Sequence, residues 1–330
     1  MNTNRLRIAH FFPAVARGLL AVGAALAIGL APARAGEKIV IPISQVSAVP
    51  QGQFVTVQGE IAEERAFKAG VRYLLRDEGA SVALVLFDRA LKQSPGIDRL
   101  LPGALVQATG KVDTYRNERQ IVPIRGSDVR ILRPAPPVPS ARIGDLTPAD
   151  EGRLVVLSGQ LVGVDSFSAG FKFQLDDGSG RIALTVFESV YDGLARPEQV
   201  NLGARVSVTG VLSLYKTTLE VVPAAGARLQ VLSPPVRQAE QRALASISDR
   251  DHGALVRVVA SIVRLDKRGE EALIKDDTGV QKLRLKGAVA ERVALKPNDR
   301  IEAIGKVRFS RKQGTVIIDV VLPTDIKILR

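Results

Sequence analysis

The sequence LRDEGASVAL at residues 75–84 returns as LDDGSGRIAL at 175–184 and as IKDDTGVQKL at 274–283. In each copy an acidic, glycine-containing turn stands ahead of an alternating apolar run. Other markers keep the same order. Gly59, Gly159 and Ala260 close an early strand pattern, Gly110, Gly210 and Gly305 close a later one, and Ile131-Leu132, Val231-Leu232 and Ile328-Leu329 end the units. A period of about 100 residues is longer than that of solenoid repeats, whose single units cannot bury their own apolar face. Each unit is therefore expected to be a domain with its own core.

Within each unit the apolar pattern has mostly period two, as in strands with one buried face. A first strand is read at 54–59, 154–159 and 256–260, a second at 70–76, 170–176 and 271–275, and a third after the acidic turn, at 82–87 and 182–187. Stretches with helix-forming residues follow at 88–101, 188–200 and 287–295. A strand ending in glycine and a hairpin complete each unit, at 104–115 with 120–123, 204–215 with 219–223, and 300–309 with 315–321.

This order of three strands, a helix and two strands resembles the OB-fold, a five-stranded Greek-key barrel with a helix between its third and fourth strands. The most specific piece is Asp276-Asp277-Thr278-Gly279, with the looser Asp177-Gly178-Ser179-Gly180 in the middle unit. A similar turn precedes the third strand in bacterial OB-fold domains of the nucleic-acid-binding type. The resemblance implies an all-β protein with one short helix per domain, built as three tandem OB barrels. The turn itself is evidence for the fold alone, because its glycines let the backbone coil where a small barrel bends.

Residues 1–35 read as a secretory signal: Arg5, Arg7 and Arg17 precede an uncharged run at 18–32, and Ala33-Arg34-Ala35 offers a cleavage site before Gly36. That run is shorter than the roughly twenty residues a membrane helix needs, so cleavage is expected, with no stable membrane insertion afterwards. The expected address is the periplasm or the cell exterior, and the chain resembles an exported bacterial protein of tandem OB domains. Its expected organisation is signal 1–35, first domain 36–133, proline-rich linker 134–140, second domain 141–232, linker 233–240 and third domain 241–330. Both linkers read as stiff spacers that hold the domains apart, and 240–246 as a short helical turn.

Charge is unevenly spread. From 40 to 138 the chain carries 13 basic and 10 acidic residues, from 139 to 236 it carries 8 and 10, and from 237 to 330 it carries 20 and 13. A polyanion would therefore be drawn chiefly to the third unit. On an OB barrel, ligands meet strands two and three and the loops joining strands one to two and four to five. Six residues beyond the marker glycines stand Arg116, Lys216 and Arg311, and five beyond stand Tyr115, Tyr215 and Ser310. An aromatic beside a cation suits a charged, stackable ligand, and a charged hairpin equally guards a sheet edge. In the third unit the candidates are Arg264, Lys267 and Arg268 in the first loop, then Lys282, Arg284 and Lys286, whose alternation puts them on one sheet face. Arg308 and Lys312 extend that set from the hairpin. The first loops of the other units offer Arg65, Phe67, Lys68, Arg72 and Tyr73, and Phe167, Phe171, Lys172 and Phe173.

No nucleophile elbow, phosphate loop or histidine–carboxylate pair occurs, so no catalytic residue, enzyme activity or cofactor is expected. Without cysteine, and with His252 the sole histidine after position 35, no metal site is expected either. Absence of cysteine also removes disulfides, so stability must come from packed cores. The expected function is non-enzymatic binding of single-stranded nucleic acid or another polyanion. A cell-envelope structural or protein-interaction module with an envelope partner is the alternative, and recognition of a small molecule or oligosaccharide a second.

Overall fold

A computed structural model describes residues 39–329 except 94–95, 237–238 and 312–313, so the expected signal at 1–35 lies outside the described residues. The first barrel comprises β1 (Val40–Ile41), β2 (Phe54–Phe67), β3 (Gly70–Arg76), β4 (Ser81–Phe87), α1 (Asp88–Lys92), β5 (Leu105–Tyr115), β6 (Glu118–Val122) and β7 (Val129–Arg133). The second comprises β8 (Leu154–Phe167), β9 (Gly170–Asp176), β10 (Arg181–Phe187), α2 (Glu188–Asp192), β11 (Arg205–Tyr215), β12 (Thr218–Val222) and β13 (Leu229–Ser233). The third comprises β14 (Glu240–Gln241), β15 (Leu255–Leu265), β16 (Glu271–Lys275), β17 (Val280–Leu285), α3 (Ala288–Arg292), β18 (Arg300–Ser310), β19 (Thr315–Val320) and β20 (Ile326–Leu329).

Each set closes on itself. In the first, β2 pairs antiparallel with both β3 and β5, β3 with β4, and β5 with β6, while β4 runs parallel to β6. The other two repeat this ring, with the parallel closure at β10–β12 and β17–β19. Three closed five-stranded barrels of OB order result. Both faces of β4 are covered, so the run Val82 to Leu86 is buried without a break, and Ile121 with Val106 and Val112 from β5 completes the interior. The marker glycines allow the closure, because a Cβ at Gly110, Gly210 or Gly305 would lie 2.5 to 2.8 Å from Ile121, Val221 or Ile318 on the adjoining strand.

The helical stretches prove shorter than expected. Each helix keeps five residues, and the rest becomes turns and single 3-10 turns such as Pro197–Gln199, since Gly193 and Pro197 interrupt the second stretch. At 240–246 the structure also differs. Glu240–Gln241 is a strand parallel to β15, and only Leu244–Ser246 turns as a 3-10 helix, because Leu244 is wholly buried under the barrel.

That insertion explains the acidic turns. Asp77, Asp177 and Asp276 occupy the same place in the three repeats, and each accepts the backbone amide that starts the inserted segment: Ile43 at 2.7 Å, Ile143 at 2.8 Å and Leu244 at 2.8 Å. A carboxylate between strands two and three thus ties down an otherwise orphan donor and seats an apolar plug.

The barrels are not held apart. At the first seam Arg228, between β12 and β13, donates to Glu64 of β2 and to the carbonyl of Leu100, while Ala224 joins the core of the first barrel. Ser189 at the start of α2 donates to the carbonyl of Phe67 at 3.3 Å. The second seam uses the same elements with different chemistry. Asn201 donates to Asp325, between β19 and β20, at 2.9 Å, and Ser166 donates to the carbonyl of Lys286 at 2.6 Å. The second and third barrels share one continuous apolar core cluster. Proline at the first linker does not prevent docking: Ala135 packs on the first core, and Pro139 accepts the amide of Val156 at 2.9 Å.

Candidate nucleic-acid interface

The groove side of an OB barrel is built here by strands two and three, with the hairpin tips at either end. In the second barrel Lys172 of β9 stands directly across from Thr185 of β10, and Glu220 of β12 lies beside Ala183 in the parallel pair. Three aromatic residues surround this polar centre because each ends a strand: Phe167 ends β8, Phe187 ends β10 and Tyr215 ends β11. Phe167 and Phe187 meet edge to face with centroids 6.1 Å apart. Lys172 Nζ lies 2.8 Å from Glu220 Oε2 and 4.9 Å from the centre of the Tyr215 ring, and Lys216 lies 5.7 Å from the same ring. Thr185 also donates to Glu220 Oε2, at 2.8 Å. The three aromatics, Lys172, Thr185 and Glu220 line a cleft of about 450 Å³ together with Asp165 and Ser166.

The first barrel repeats the arrangement. Phe67 and Phe87 meet edge to face at 6.1 Å, Tyr115 stands at the hairpin with Arg116 5.3 Å from its centre, and Arg72 occupies the place of Lys172. Gln120 replaces Glu220, and Arg72 pairs instead with Glu118 at 2.9 Å. A second cleft, of about 470 Å³, runs along the seam between these barrels, with Arg65, Arg72 and Leu74 on one wall and Phe187, Tyr215 and Glu220 on the other. Phe187, Tyr215 and Glu220 line both clefts, and Glu63, Glu64 and Glu151 also line the one at the seam.

The third barrel departs from this plan. Its β15–β16 hairpin is shorter and carries Asp266, Lys267 and Arg268 where the other two hairpins place phenylalanine. Lys286 stands at the register of Phe187, and Ser310 at that of Tyr215. Lys282, Arg284 and Lys286 do face outward, alternating with the buried Leu283 and Leu285. Their charges are largely spoken for, however. Arg284 and Arg308 both pair with the buried carboxylate of Asp319, at 2.8 and 2.9 Å, and Lys286 reaches across the seam to Asp165 at 2.5 Å. The hydrogen bonds to Asp319 raise Arg284 above the usual guanidinium range.

Arg264 and Lys282 share a cleft with Asp266 and Glu271, and Arg268 lies in a neighbouring one that also holds Glu270. Lys267 and Arg311 are exposed, and Lys312 lies outside the described residues. The basic residues of this barrel thus form a surface of interleaved sign, and its one aromatic residue is the half-buried Phe309. Tyr115 with Arg116 and Tyr215 with Lys216 lie at hairpin tips, with Phe87 beside Phe67 in the first barrel and Phe187, Thr185 and Glu220 beside Tyr215 in the second. The phenylalanines were legible as strand ends at equal places in two repeats, but the pairing of Glu220 with Lys172 joins residues 48 apart in the chain.

No protein-family model matches the chain, and no curated protein is significantly similar to it. Solved structures are similar over parts or most of it. The OB domain of MM0293 from Methanosarcina mazei is 18% identical over 31% of this chain and 89% of its own, with a TM-score of 0.25. A replication protein A heterotrimer bound to single-stranded DNA is 11% identical over 85% of this chain and 94% of its own, with a TM-score of 0.28. The Stn1–Ten1 complex of S. pombe is 20% identical over 24% of this chain, with a TM-score of 0.22, and the match spans only 58% of its length. The OB assignment rests on the strand pairing described above.

Proposed function

We propose that the chain is an exported, non-enzymatic binding protein that takes single-stranded nucleic acid across the grooves of its first two barrels. One observation carries this reading: the same set of two phenylalanines, one tyrosine and a hairpin-tip cation, Arg116 or Lys216, is built twice on adjacent barrels. Bases stack on aromatic faces while cations follow the phosphates, and a groove that repeats lets one strand engage both sites. The basic third barrel adds long-range attraction.

Anisotropy of labelled single-stranded DNA, titrated with the full three-barrel chain at low and physiological salt, tests the reading. Expected is single-strand binding that survives heparin and exceeds duplex binding. Attraction abolished equally by heparin would reduce it to bulk charge and favour an envelope interaction module. Export has its own readout: the N-terminus of the exported product is expected at Gly36.

A further inference from the structure

The groove of the second barrel holds a carboxylate that a phosphate-binding surface does not need. Glu220 is nearly buried, with its side chain 10% exposed, and lines the cleft with Phe187 and Tyr215. Both donors that reach it, the Lys172 ammonium and the Thr185 hydroxyl, bond to Oε2. Among the described residues no donor reaches Oε1, and it is not among the buried oxygens without a partner. A negative charge here repels phosphate, so its neighbours must offer a neutral donor something to gain. A base stacked among the rings presents such donors on its edge.

Resting on the reading above, we propose that Glu220 makes this groove selective for guanine over thymine. The two bases share one edge pattern, a carbonyl oxygen beside a ring N–H, which suits Lys172 as donor and Glu220 as acceptor. They differ at the next position. Guanine places its exocyclic amine there, a second donor toward the carboxylate, whereas thymine places a carbonyl whose lone pairs oppose it. Gln120 stands at this place in the first barrel, where a neutral amide both donates and accepts, so selectivity resides in the second barrel alone.

The experiment compares a labelled fifteen-thymine strand with the same strand carrying guanine at every third position, a spacing that prevents guanine runs. Binding to the full chain is measured for the native protein and for Glu220→Gln, which keeps the shape and an oxygen for Thr185. The native protein is expected to bind the guanine-bearing strand about tenfold more tightly, as one good base-edge contact discriminates. The variant is expected to lose that preference, read as the ratio of its own affinities for the two strands. Equal affinity of the native protein for both strands overturns the proposal without touching single-strand binding, as does a preference that persists in the variant. Failure to bind either strand overturns the binding function itself. The native comparison stands whether or not the variant folds.

Discussion

Arg228 of the second barrel donates from Nη1 to Glu64 Oε1 of the first at 2.5 Å, with both side chains 1% exposed. Burial pushes the Glu64 carboxyl up, against the pull of the guanidinium beside it. Burial likewise pushes the hydroxyl of the neighbouring Tyr73 well above its usual range. Two charges have left water to make this seam, and each is tolerable there only because the other is present.

Removing one partner should therefore cost more than removing both. Arg228→Ala is expected to destabilise the protein by about 3–5 kcal/mol, because Glu64 is left buried and unpaired. The double substitution Glu64→Leu with Arg228→Met is expected to recover most of that loss. Urea unfolding of the single and double variants reads the difference, and equal losses would contradict the account.

Acid should loosen the inserted plugs. Burial alone would push Asp177 up, but the Ser179 hydroxyl and the amides of Ile143, Ser179 and Gly180 outweigh it and hold the carboxyl at about 2. Asp276 is held at about 2 in the same way, against burial, by the amide of Leu244, the Thr278 side chain and the amides of Thr278 and Gly279. The folded values lie below the ordinary 3.8, so this stabilisation is present above pH 4 and is lost as pH falls toward 2. Thermal unfolding between pH 5 and about pH 2 is expected to show the loss, and Asp177→Ala with Asp276→Ala to flatten it while lowering stability at neutral pH.

Stacking and charge separate in the groove. Tyr115→Ala and Tyr215→Ala are each expected to weaken single-strand binding by about 1–3 kcal/mol with little change in salt dependence. Replacing Lys267, Arg268 and Arg311 together with Gln should instead reduce the salt slope and leave most of the affinity at high salt. Anisotropy over a salt series distinguishes the two patterns, and a larger loss from the third-barrel set at high salt would relocate the site.

Gly287 joins the second and third barrels. Its φ of +52° favours glycine, and a Cβ there would lie 2.7 to 2.8 Å from the backbone of Phe167. Gly287→Ala is expected to cost about 1–3 kcal/mol, through left-handed backbone strain and the lost close approach. Thermal unfolding checks it, with Gly152→Ala as the control: that glycine also has positive φ, and nothing lies within 4 Å of its added Cβ.

His252 illustrates how far residue types alone could be read. As the sole histidine after position 35 it has no histidine partner in the sequence, and it lies in a turn with Nδ1 accepting the amide of Phe309 at 3.0 Å. That bond requires the neutral ring to carry its proton on Nε2.

Local periodicity and repetition determined the barrels from sequence alone. Strands at period two, the glycines at 110, 210 and 305 and the acidic turns recur within each unit, because every barrel solves the same closure problem with nearby residues. Tertiary structure alone decided the rest. The sequence showed Arg284, Lys286 and Arg308 as free charge on a basic domain, but their partners Asp319 and Asp165 lie 35, 121 and 11 residues away, and no local pattern encodes such pairings. The prolines suggested spacers, whereas buried groups 164 and 124 residues apart, Arg228 with Glu64 and Asn201 with Asp325, lock the barrels together. Desolvation makes those contacts decisive once they form, and it depends on which surfaces meet, which a linear pattern does not state.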